Sequence, residues 1–584
     1  MGNKKINLQK INLPLLLFGI FILWFSLSFL IIPNITVLLE TFTKDGSLSL
    51  RAFEKIRNSE RALAAIRHSL LLAVVLTITV NIVGIFIVLV TEYFEVKFAG
   101  ILRIAFMSTL VFGGMILNNG YLYLYGHKGI ITRGLTKIIP GLDPKWFIGF
   151  PAVLFVMTFA CTSNHMLFFR NAIKGIDFGT VEAAKNMGAN QWQILRKVVL
   201  PTLKPTILTL LIMTFQTGLG AMSAPLMVGG EDFQTISPLI LTFAKRPASR
   251  DIAALLSVLL GIAQIVLLFV ITRNEKKGNF LSISKTKTHI QKQKIHNKVI
   301  NGIVHVISYV LFFIYSLPVI LVTLFSFMDT KAINASKLSI HSFTLDNYRR
   351  ILTDASSYRP FINSVMYSAM AAAGAVILCV VVVRIVMKYN SVWTTMMEYV
   401  LYIPWLLPAL LLAIGLILTY DRPRPWMFGR VLVGRPWIVP LAYFIVMIPS
   451  TIRYIKAAYF SFDRNLEDAA RNLGAGGFRT MFKIIIPVLL PTALALFALN
   501  FNSYLADYDL SAFLYHPTHP TLGIVIRSNA DPTANVNAQA INLVYSVILM
   551  GISTIVLYFV YGRGSDTFSR RDKRKQKKIK ESKK

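Results

Sequence analysis

Twelve long apolar stretches divide the sequence and restrict it to a fold in which helices cross a membrane. Each is near or above the roughly 20 residues that a helix needs to cross the hydrocarbon core of a bilayer. The mean hydropathy of +0.59 and the 55% hydrophobic content are also far from those of a soluble domain. The sequence therefore predicts an all-α polytopic membrane protein with about twelve transmembrane helices. The stretches are residues 13–33, 64–91, 101–118, 147–169, 206–228, 251–272, 303–327, 361–387, 396–419, 437–458, 491–506 and 540–561.

A polar segment between apolar stretches occurs twice at a constant offset, so that Gly188 corresponds to Gly474. Such a duplication indicates an internal repeat. It predicts two homologous six-helix halves, residues 1–272 and 302–562. The shared positions hold an acid, two alanines, a glycine and a proline, which are Glu182, Ala183, Ala184, Gly188 and Pro201 in the first copy and Asp468, Ala469, Ala470, Gly474 and Pro487 in the second.

The repeated segment predicts a short helix, a break and a second helix. The acid suits the positive end of a helix, and the alanines favour helix. Gly188 and Gly474 can adopt the left-handed conformation that ends a helix. The basic run that follows each glycine resumes as helix, and we expect it to end at the step into Pro201 or Pro487.

These residues and their spacing resemble the cytoplasmic coupling loop, or EAA loop, of permease subunits of bacterial ABC importers. The resemblance assigns the loops to residues 178–204 and 464–490. It implies that the short helices dock on two copies of an ATPase subunit, and that an extracytoplasmic solute-binding protein delivers the cargo. We expect Ala184 and Ala470 to lie against the ATPase. The second copy has Asp468 in place of glutamate and Glu467 just before it, which leaves open which acid makes the contact.

Charge distribution predicts the orientation of the chain in the membrane. With the amino terminus inside, the larger share of the 61 Lys and Arg residues falls on the cytoplasmic side, as the positive-inside rule requires. Both loops, the polar linker 273–301 and the basic tail 563–584 are then cytoplasmic. The linker need not fold, and Arg384 near an inner span end can extend to the lipid interface.

The net charge of +34 could indicate nucleic acid, but the basic residues lie between apolar spans and in the tail. We therefore expect the tail to contact anionic membrane lipid and expect no nucleic acid partner. Both termini are predicted to be cytoplasmic, in a multi-pass protein of the bacterial plasma membrane.

The sequence contains no phosphate-binding loop, because the dipeptide Gly-Lys never occurs. We expect no cofactor on this chain, no metal site and no enzymatic activity, and expect ATP to be used by the partner subunit. His516 and His519 are separated and followed by prolines, which favours a turn over a helical metal site.

Polar residues near the end of the span after each loop are candidates for the translocation path, because polar side chains inside a membrane are costly and often line a water-filled route. Packing between helices is an equally acceptable role for the amide side chains. The candidates are Gln216, Asn500, Asn502, Ser503, Tyr504, Asp507 and Asp509, together with Glu231 and Asp232.

Pro404 and Pro408 should kink the ninth span and are candidate gate residues. The first half has no proline in the comparable region, so the sequence does not establish a symmetrical gate.

The two fused halves most resemble ferric-iron permeases, and relatives of similar build carry thiamine, aminoethylphosphonate, sugar phosphates, polyamines or sulfate. Carboxylates and phenols suit a ferric ion or an amine. Four arginines between spans nine and ten suit phosphate or carboxylate groups instead, or an acidic surface of the binding protein: Arg422, Arg424, Arg430 and Arg435. The sequence thus favours ferric iron, with a phosphorylated or phosphonate solute second. A secondary transporter, the competing class, would need coupling charges near the midplane and no docking loops.

The predicted topology can be tested by cysteine labelling in intact cells. A cysteine replacing Ser284 in the linker should resist an impermeant thiol reagent, because it faces the cytoplasm. A cysteine replacing Thr518 should react, because it faces outward. The reverse labelling pattern would overturn the twelve-span topology.

Overall fold

A computed structural model describes the chain over residues 13–44, 47–111, 114–174, 176, 178–277, 292–335, 338–389, 391–460, 465–531 and 534–563. Within these residues, ten helices are long and apolar enough to cross a membrane, and two bent helix pairs raise the number to twelve when each pair is counted as one span. Each of the twelve apolar stretches of the sequence coincides with one of these spans. The all-α prediction is confirmed.

The spans are numbered here in chain order, and spans 3 and 9 are the bent pairs. Their bounds are Leu15–Phe42, Glu60–Tyr93, Ala99–Thr109 with Gly114–Ile138, Phe150–Ile173, Gln191–Leu219, Pro247–Ile271, Lys298–Ser326, Ala355–Tyr389, Val392–Trp405 with Ala409–Tyr420, Ile438–Tyr459, Gly477–Leu505 and Asn537–Val560.

Two short helices connect spans on one side of the molecule, which we call the loop-helix side. They are the first loop helix, Phe178–Asn186, and the second loop helix, Asn465–Asn472. The opposite side carries short helices and a two-stranded hairpin between spans: Thr43–Lys44 paired with Ser47–Leu48, Arg51–Arg57, Ser223–Val228, Ile236–Ala244, Thr330–Ala335, Ile340–Ser342, Asp346–Thr353, Pro425–Met427, Ser511–Leu514 and Leu522–Asn529.

Spans 5 and 11 begin earlier than the apolar pattern predicts, because the amphipathic run of each repeated segment is continuous with the span. The expected end of the run at Pro201 and Pro487 is wrong, since both prolines lie inside a continuing helix. A π-helical turn precedes each of them, over Leu195–Val199 and Met481–Ile485. The wider turn already shifts the hydrogen-bond ladder, so a proline that lacks an N–H donor is tolerated there.

The third span of each half is broken. Span 3 bends by 108° before Gly114, and span 9 bends by 100° between Trp405 and Ala409. Pro404 and Pro408 lie at the bend of span 9, where the sequence predicts a kink. The halves share this bend although they differ in sequence, because span 3 bends by a similar angle without a proline. The sequence signal there is a pair of glycines ending at Gly114, since glycine is a poor helix former.

The first span of each half packs into the core of the other half. Span 1 buries Ile22, Phe25 and Phe29 among residues of spans 8 to 10. The Tyr420 hydroxyl of span 9 donates to the Ser28 carbonyl at 2.5 Å. The sequence halves 1–272 and 302–562 are therefore not separately packed units.

Span 7 makes the reciprocal contact. Its Tyr315 is buried in the core of the first half, where its ring meets Phe106 edge to face at 5.1 Å. The Tyr315 hydroxyl also lies 2.7 Å from Thr162 Oγ1 of span 4. A buried phenol needs such a polar partner. The exchange of spans 1 and 7 interlocks the two halves.

The last part of the linker is ordered along the first half, contrary to the expectation that it need not fold. The Gln293 amide donates to the Tyr93 carbonyl at 2.9 Å, and the Glu95 amide donates to the Gln293 carbonyl at 3.0 Å. Lys292 Nζ also donates to the Thr91 carbonyl at 2.8 Å. Ser284 and the tail beyond residue 563 lie outside the described residues.

The exchange of span 1 predicts a sensitive glycine. A Cβ on Gly415 would lie 2.9 Å from the backbone oxygen of Pro33, whereas nothing lies within 4 Å of a Cβ on Gly19. Gly415→Ala should lower the free energy of unfolding by about 1–3 kcal/mol, because backbone must shift. Thermal unfolding in detergent measures the effect. Gly19→Ala makes the same gain in helix propensity and is the control; equal midpoints for the two variants would contradict the predicted packing.

Candidate functional site

Both loop helices end in the same backbone motif, as the repeat predicts. Gly188 and Gly474 have φ values of 81° and 77°. The amide of Ala189 donates to the carbonyl of Ala184 at 3.1 Å, and the amide of Ala475 donates to that of Ala470 at 2.9 Å. These bonds connect residues five positions apart and satisfy carbonyls that would otherwise be unpaired at a helix end. The glycines therefore fix where each loop helix stops and the chain turns toward the next span.

The two alanines of each pair face different ways. Ala184 and Ala470 are 7% and 6% exposed, and so pack against the chain itself. Ala183 and Ala469 are exposed. The expectation that Ala184 and Ala470 lie against a partner is therefore wrong, because successive helical residues point about 100° apart and only one of each pair can face outward.

Large apolar side chains stand exposed at equivalent positions of both loops. Met187 and Leu473 are 81% and 88% exposed, and Trp192 and Phe478 are 65% and 79% exposed. Sequence reasoning missed these four residues, although the repeat contains the signal, because the position is apolar in both copies. Exposed apolar groups that recur on a polar side of a protein are typical of a surface that another protein covers.

The acids of the second loop helix are distinguished by their partners. Glu467 forms a two-pronged ion pair with Arg384 of span 8 at 2.5 and 2.7 Å. Asp468 is exposed, as is Glu182 in the first loop helix. Asp468 is thus the acid that remains available at the surface. The expectation that Arg384 extends to the lipid interface is wrong, since its guanidinium meets a carboxylate of its own chain.

Two cavities adjoin the segment that follows span 11. Cavity A, of about 170 Å³, lies between this segment and first-half residues that include Gly114 and Ser223. Cavity B, of about 410 Å³, lies between the segment and Ala409 of span 9 and Ser450 of span 10. Gly114 and Ala409 are the residues at which the second limbs of the two bent spans begin. Both breaks therefore border the same polar region.

Six of the nine sequence candidates line these cavities. Ser503, Asp507 and Asp509 line both, Asn502 lines cavity A, and Asn500 and Tyr504 line cavity B. These residues therefore form a continuous wall between the two cavities.

Two of the candidates also bond to neighbouring spans. Asn500 Nδ2 donates to Thr451 Oγ1 of span 10 at 2.9 Å. Asn502 Oδ1 accepts from Ser553 Oγ of span 12 at 2.6 Å. Each amide thus both borders a cavity and joins two helices, so the two roles considered from the sequence occur together.

The first-half candidates lie elsewhere. Gln216, at the repeat position of Asn502, is half-buried and lines neither cavity. Glu231 and Asp232 border a separate open groove, together with Arg61 and Arg67. The expectation that these two acids contribute to a shared path is wrong, because the chain turns away after the short helix Ser223–Val228. The first half contributes Ser223 and the backbone near Gly114 instead.

Asp507 and Asp509 make the cavity region acidic. Within the described part of the chain, no Lys, Arg or His lines either cavity. Asp507 lies beyond the end of span 11, where its Oδ2 accepts the amides of Leu510 at 3.2 Å and Ser511 at 3.0 Å. Burial raises the pKa of Asp507 to about 6, and these backbone donors oppose the rise. Burial, together with the neighbouring Asp507 carboxylate, raises the pKa of Asp509 to about 7, so the two carboxyl groups carry less than two full negative charges at neutral pH.

The described residues contain no group of three or more His, Cys, Asp or Glu side chains that could hold a metal ion. His516 and His519 close a turn, in which the His519 amide donates to the His516 carbonyl at 2.9 Å. The acidic cavities thus offer two carboxylates and several neutral oxygens, which suits weak contacts with a passing solute.

Comparison with known families matches this chain twice to one model, described as "Binding-protein-dependent transport system inner membrane component". The matched residues are 98–274 and 375–573. Together they cover more than half of the chain, one match in each half. Each match includes one of the loop helices and the span that follows it.

Individual relatives agree with this match. A probable ABC transporter permease protein, y4fN, of Sinorhizobium fredii is 37% identical over 541 residues, which are 92% of this chain and 94% of that protein. A putative ferric transport system permease protein of Haemophilus influenzae is 19% identical, over 83% of this chain and 76% of that protein. The spermidine/putrescine transport system permease protein PotC of Escherichia coli is 22% identical, over 43% of this chain and 92% of that protein.

Proposed function

This chain belongs to the family of inner membrane components of binding-protein-dependent transport systems, and on that premise we propose that it imports a cationic solute, ferric iron first among the candidates. A separate ATPase subunit, present in two copies, supplies the energy, and an extracytoplasmic binding protein delivers the cargo. The two carboxylates on the wall shared by cavities A and B are the observation that carries the proposal. The amino terminus, loop helices, linker and tail are cytoplasmic in this proposal.

One ATPase copy docks on each loop helix. The support is the exposed apolar pair of each loop, Met187 with Trp192 and Leu473 with Phe478. Ala183 and Ala469 lie on the same helices and are exposed. Their small side chains let a groove of the partner approach the helix backbone closely. Glu182 and Asp468 supply the carboxylate of each contact.

Docking can be tested with two added arginines. The double variant Ala183→Arg/Ala469→Arg should insert normally but lose the ATPase on co-purification, because a long cation replaces the smallest side chain on each helix. The control is the double variant Val299→Arg/Val392→Arg. Both valines are exposed on the loop-helix side, at the starts of spans 7 and 9. Normal ATPase recovery with Ala183→Arg/Ala469→Arg would remove the docking proposal.

The bends of spans 3 and 9 are the proposed gate between the cavities and the side opposite the loop helices. Broken helices are tolerated at membrane depth where they line a water-filled cavity. Pro408 directly precedes the second limb of span 9 and packs against Gly261 of span 6, where an added Cβ would lie 3.4 Å from the proline ring. A shift of span 6 would therefore press on the bend and change the width of cavity B.

The acidic wall favours a cation over an anion. Among the described residues, the cavity lining holds two carboxylates and no lysine, arginine or histidine, which attracts positive charge and repels phosphate. Carboxylates, hydroxyls and phenols are hard oxygen ligands, which suit a ferric ion or an amine. The relatives that act on ferric iron and on spermidine are consistent with such a cargo.

The arginine cluster between spans 9 and 10 supports the alternative, a phosphorylated or phosphonate solute, less well. None of its four residues lines cavity A or B. Arg424 Nε donates to the Thr419 carbonyl at 2.7 Å, and Arg435 Nε donates to the Val431 carbonyl at 3.0 Å. We propose that the cluster contacts an acidic surface of the binding protein instead.

Uptake by proteoliposomes that contain the chain, its ATPase and its binding protein tests the cargo. Labelled ferric iron should accumulate only with ATP inside. Asp507→Asn/Asp509→Asn should lower the uptake rate at least about tenfold, because the variant removes the charges that attract the cation. Asp346→Asn, an exposed carboxylate on the side opposite the loop helices, is the matched control.

Two outcomes would contradict this assignment. Accumulation of a sugar phosphate or aminoethylphosphonate without iron would replace the cationic cargo by an anionic one. Accumulation that follows an ion gradient and ignores ATP would instead indicate a secondary transporter.

A further inference from the structure

A buried ion pair connects the second loop helix to the spans around cavity B. Arg384 and Glu467 are joined by two hydrogen bonds, at 2.5 and 2.7 Å, and their side chains are only 11% and 13% exposed. Arg384 Nη1 also donates to the Tyr459 hydroxyl. We call these three residues the Arg384 cluster. It joins span 8, the end of span 10 and the second loop helix.

The geometry of the cluster is restrictive. A planar guanidinium that meets a carboxylate through two parallel bonds fixes both the distance and the orientation of the partners. A largely buried pair is also costly to separate, because separation leaves a charge without a partner. The second loop helix therefore cannot turn relative to span 8 without breaking the pair.

The first loop helix has an apolar contact at the position where the second has its ion pair. Val181 stands at the repeat position of Glu467, is 2% exposed and belongs to the apolar core of the first half. Apolar packing is not directional, so it tolerates sliding and rotation better than a two-pronged ion pair. The two loop helices share their backbone motif, but only the second is attached through the Arg384 cluster.

Span 10 continues from the cluster to the cavity. It lines cavity B at Met447 and Ser450 and ends at Tyr459, nine residues further along the same helix. Span 8 packs beside it, with Cys379 Sγ 3.6 Å from the Ile448 carbonyl. A continuous helix, with Pro449 beside the cavity residues, thus joins the wall of cavity B to the Tyr459 hydroxyl that bonds Arg384.

We infer that Arg384 is a positioning residue that transmits movement of the second loop helix, through Glu467 and Tyr459, to spans 8 and 10 at cavity B. The inference rests on the proposed docking of an ATPase at the loop helices. If Arg384 has this role, ATP binding changes cavity B most directly through the second half. Glu467 then couples elements inside the chain, and Asp468 faces the ATPase.

A cysteine at Ser450 can report on cavity B without knowledge of the cargo. The sample is the assembled complex of full chain and ATPase, in which Cys161 and Cys379 are replaced by alanine and Ser450 by cysteine. The rate at which a thiol reagent labels position 450 is measured with and without MgATP and vanadate. The parent complex should show a clear change in rate. Glu467→Gln should reduce this change about tenfold, a typical size for coupling between sites, while ATP hydrolysis keeps its KM.

Further variants separate coupling from stability. Arg384→Met should behave like Glu467→Gln, and the exchanged pair Arg384→Glu/Glu467→Arg should restore most of the response. Lys55→Met removes an ion pair with Asp251 on the opposite side and should leave the response unchanged. Restoration by the exchanged pair would show that the single variants had lost the pair rather than the fold.

The outcomes distinguish this inference from the proposed function. If the parent complex does not respond to MgATP, the proposed ATPase coupling fails. If the parent responds and Glu467→Gln responds equally at equal ATPase content, the Arg384 inference fails. It also fails if Glu467→Gln loses the ATPase and the exchanged pair does not recover it, because Glu467 would then contact the ATPase directly.

Discussion

The inability of lipid to hydrogen-bond the backbone is the constraint on which the rest of this structure depends. Every peptide group at membrane depth must be satisfied within a helix, or where protein or water covers it. Most spans meet this requirement with continuous helices, even through prolines such as Pro201 and Pro318. Spans 3 and 9 do not, and their breaks border cavities A and B. The irregular backbone and the polar cavities therefore occur together, because the cavities provide the protein or water contacts that the unpaired backbone groups at each break require.

The exchange of spans 1 and 7 converts two repeated halves into one body. Phe25 and Phe29 of span 1 complete the core of the second half, and Tyr315 of span 7 completes that of the first. Lipid gives apolar side chains little reason to prefer one helix over another, so close packing and a few polar contacts decide which helices associate. Here those contacts are the close approach of Gly415 to Pro33 and the bonds of Tyr315 and Tyr420. The cavities thus form within an interlocked pair of halves.

The repeat preserves backbone geometry more faithfully than side-chain chemistry. Gly188 and Gly474 have nearly the same φ, and both loops place an exposed apolar residue just before the glycine. One position before the acid that the two copies share, however, Val181 packs in a core while Glu467 pairs with Arg384. The polar wall of the cavities is likewise contributed largely by the second half.

The sequence by itself determined the number and place of the spans, the two loop helices and the glycine turns that end them. Those features depend on local composition and on φ, which neighbouring residues fix. Six of the nine path candidates chosen from the sequence line the cavities, because a polar cluster beside an apolar span must border water or protein. Only the tertiary structure decided that Ala184 is buried and Ala183 exposed, that Gln216 lies away from the cavities and that Arg384 meets Glu467. Those facts depend on which helix faces which, and residues 83 positions apart meet only after the spans between them have packed.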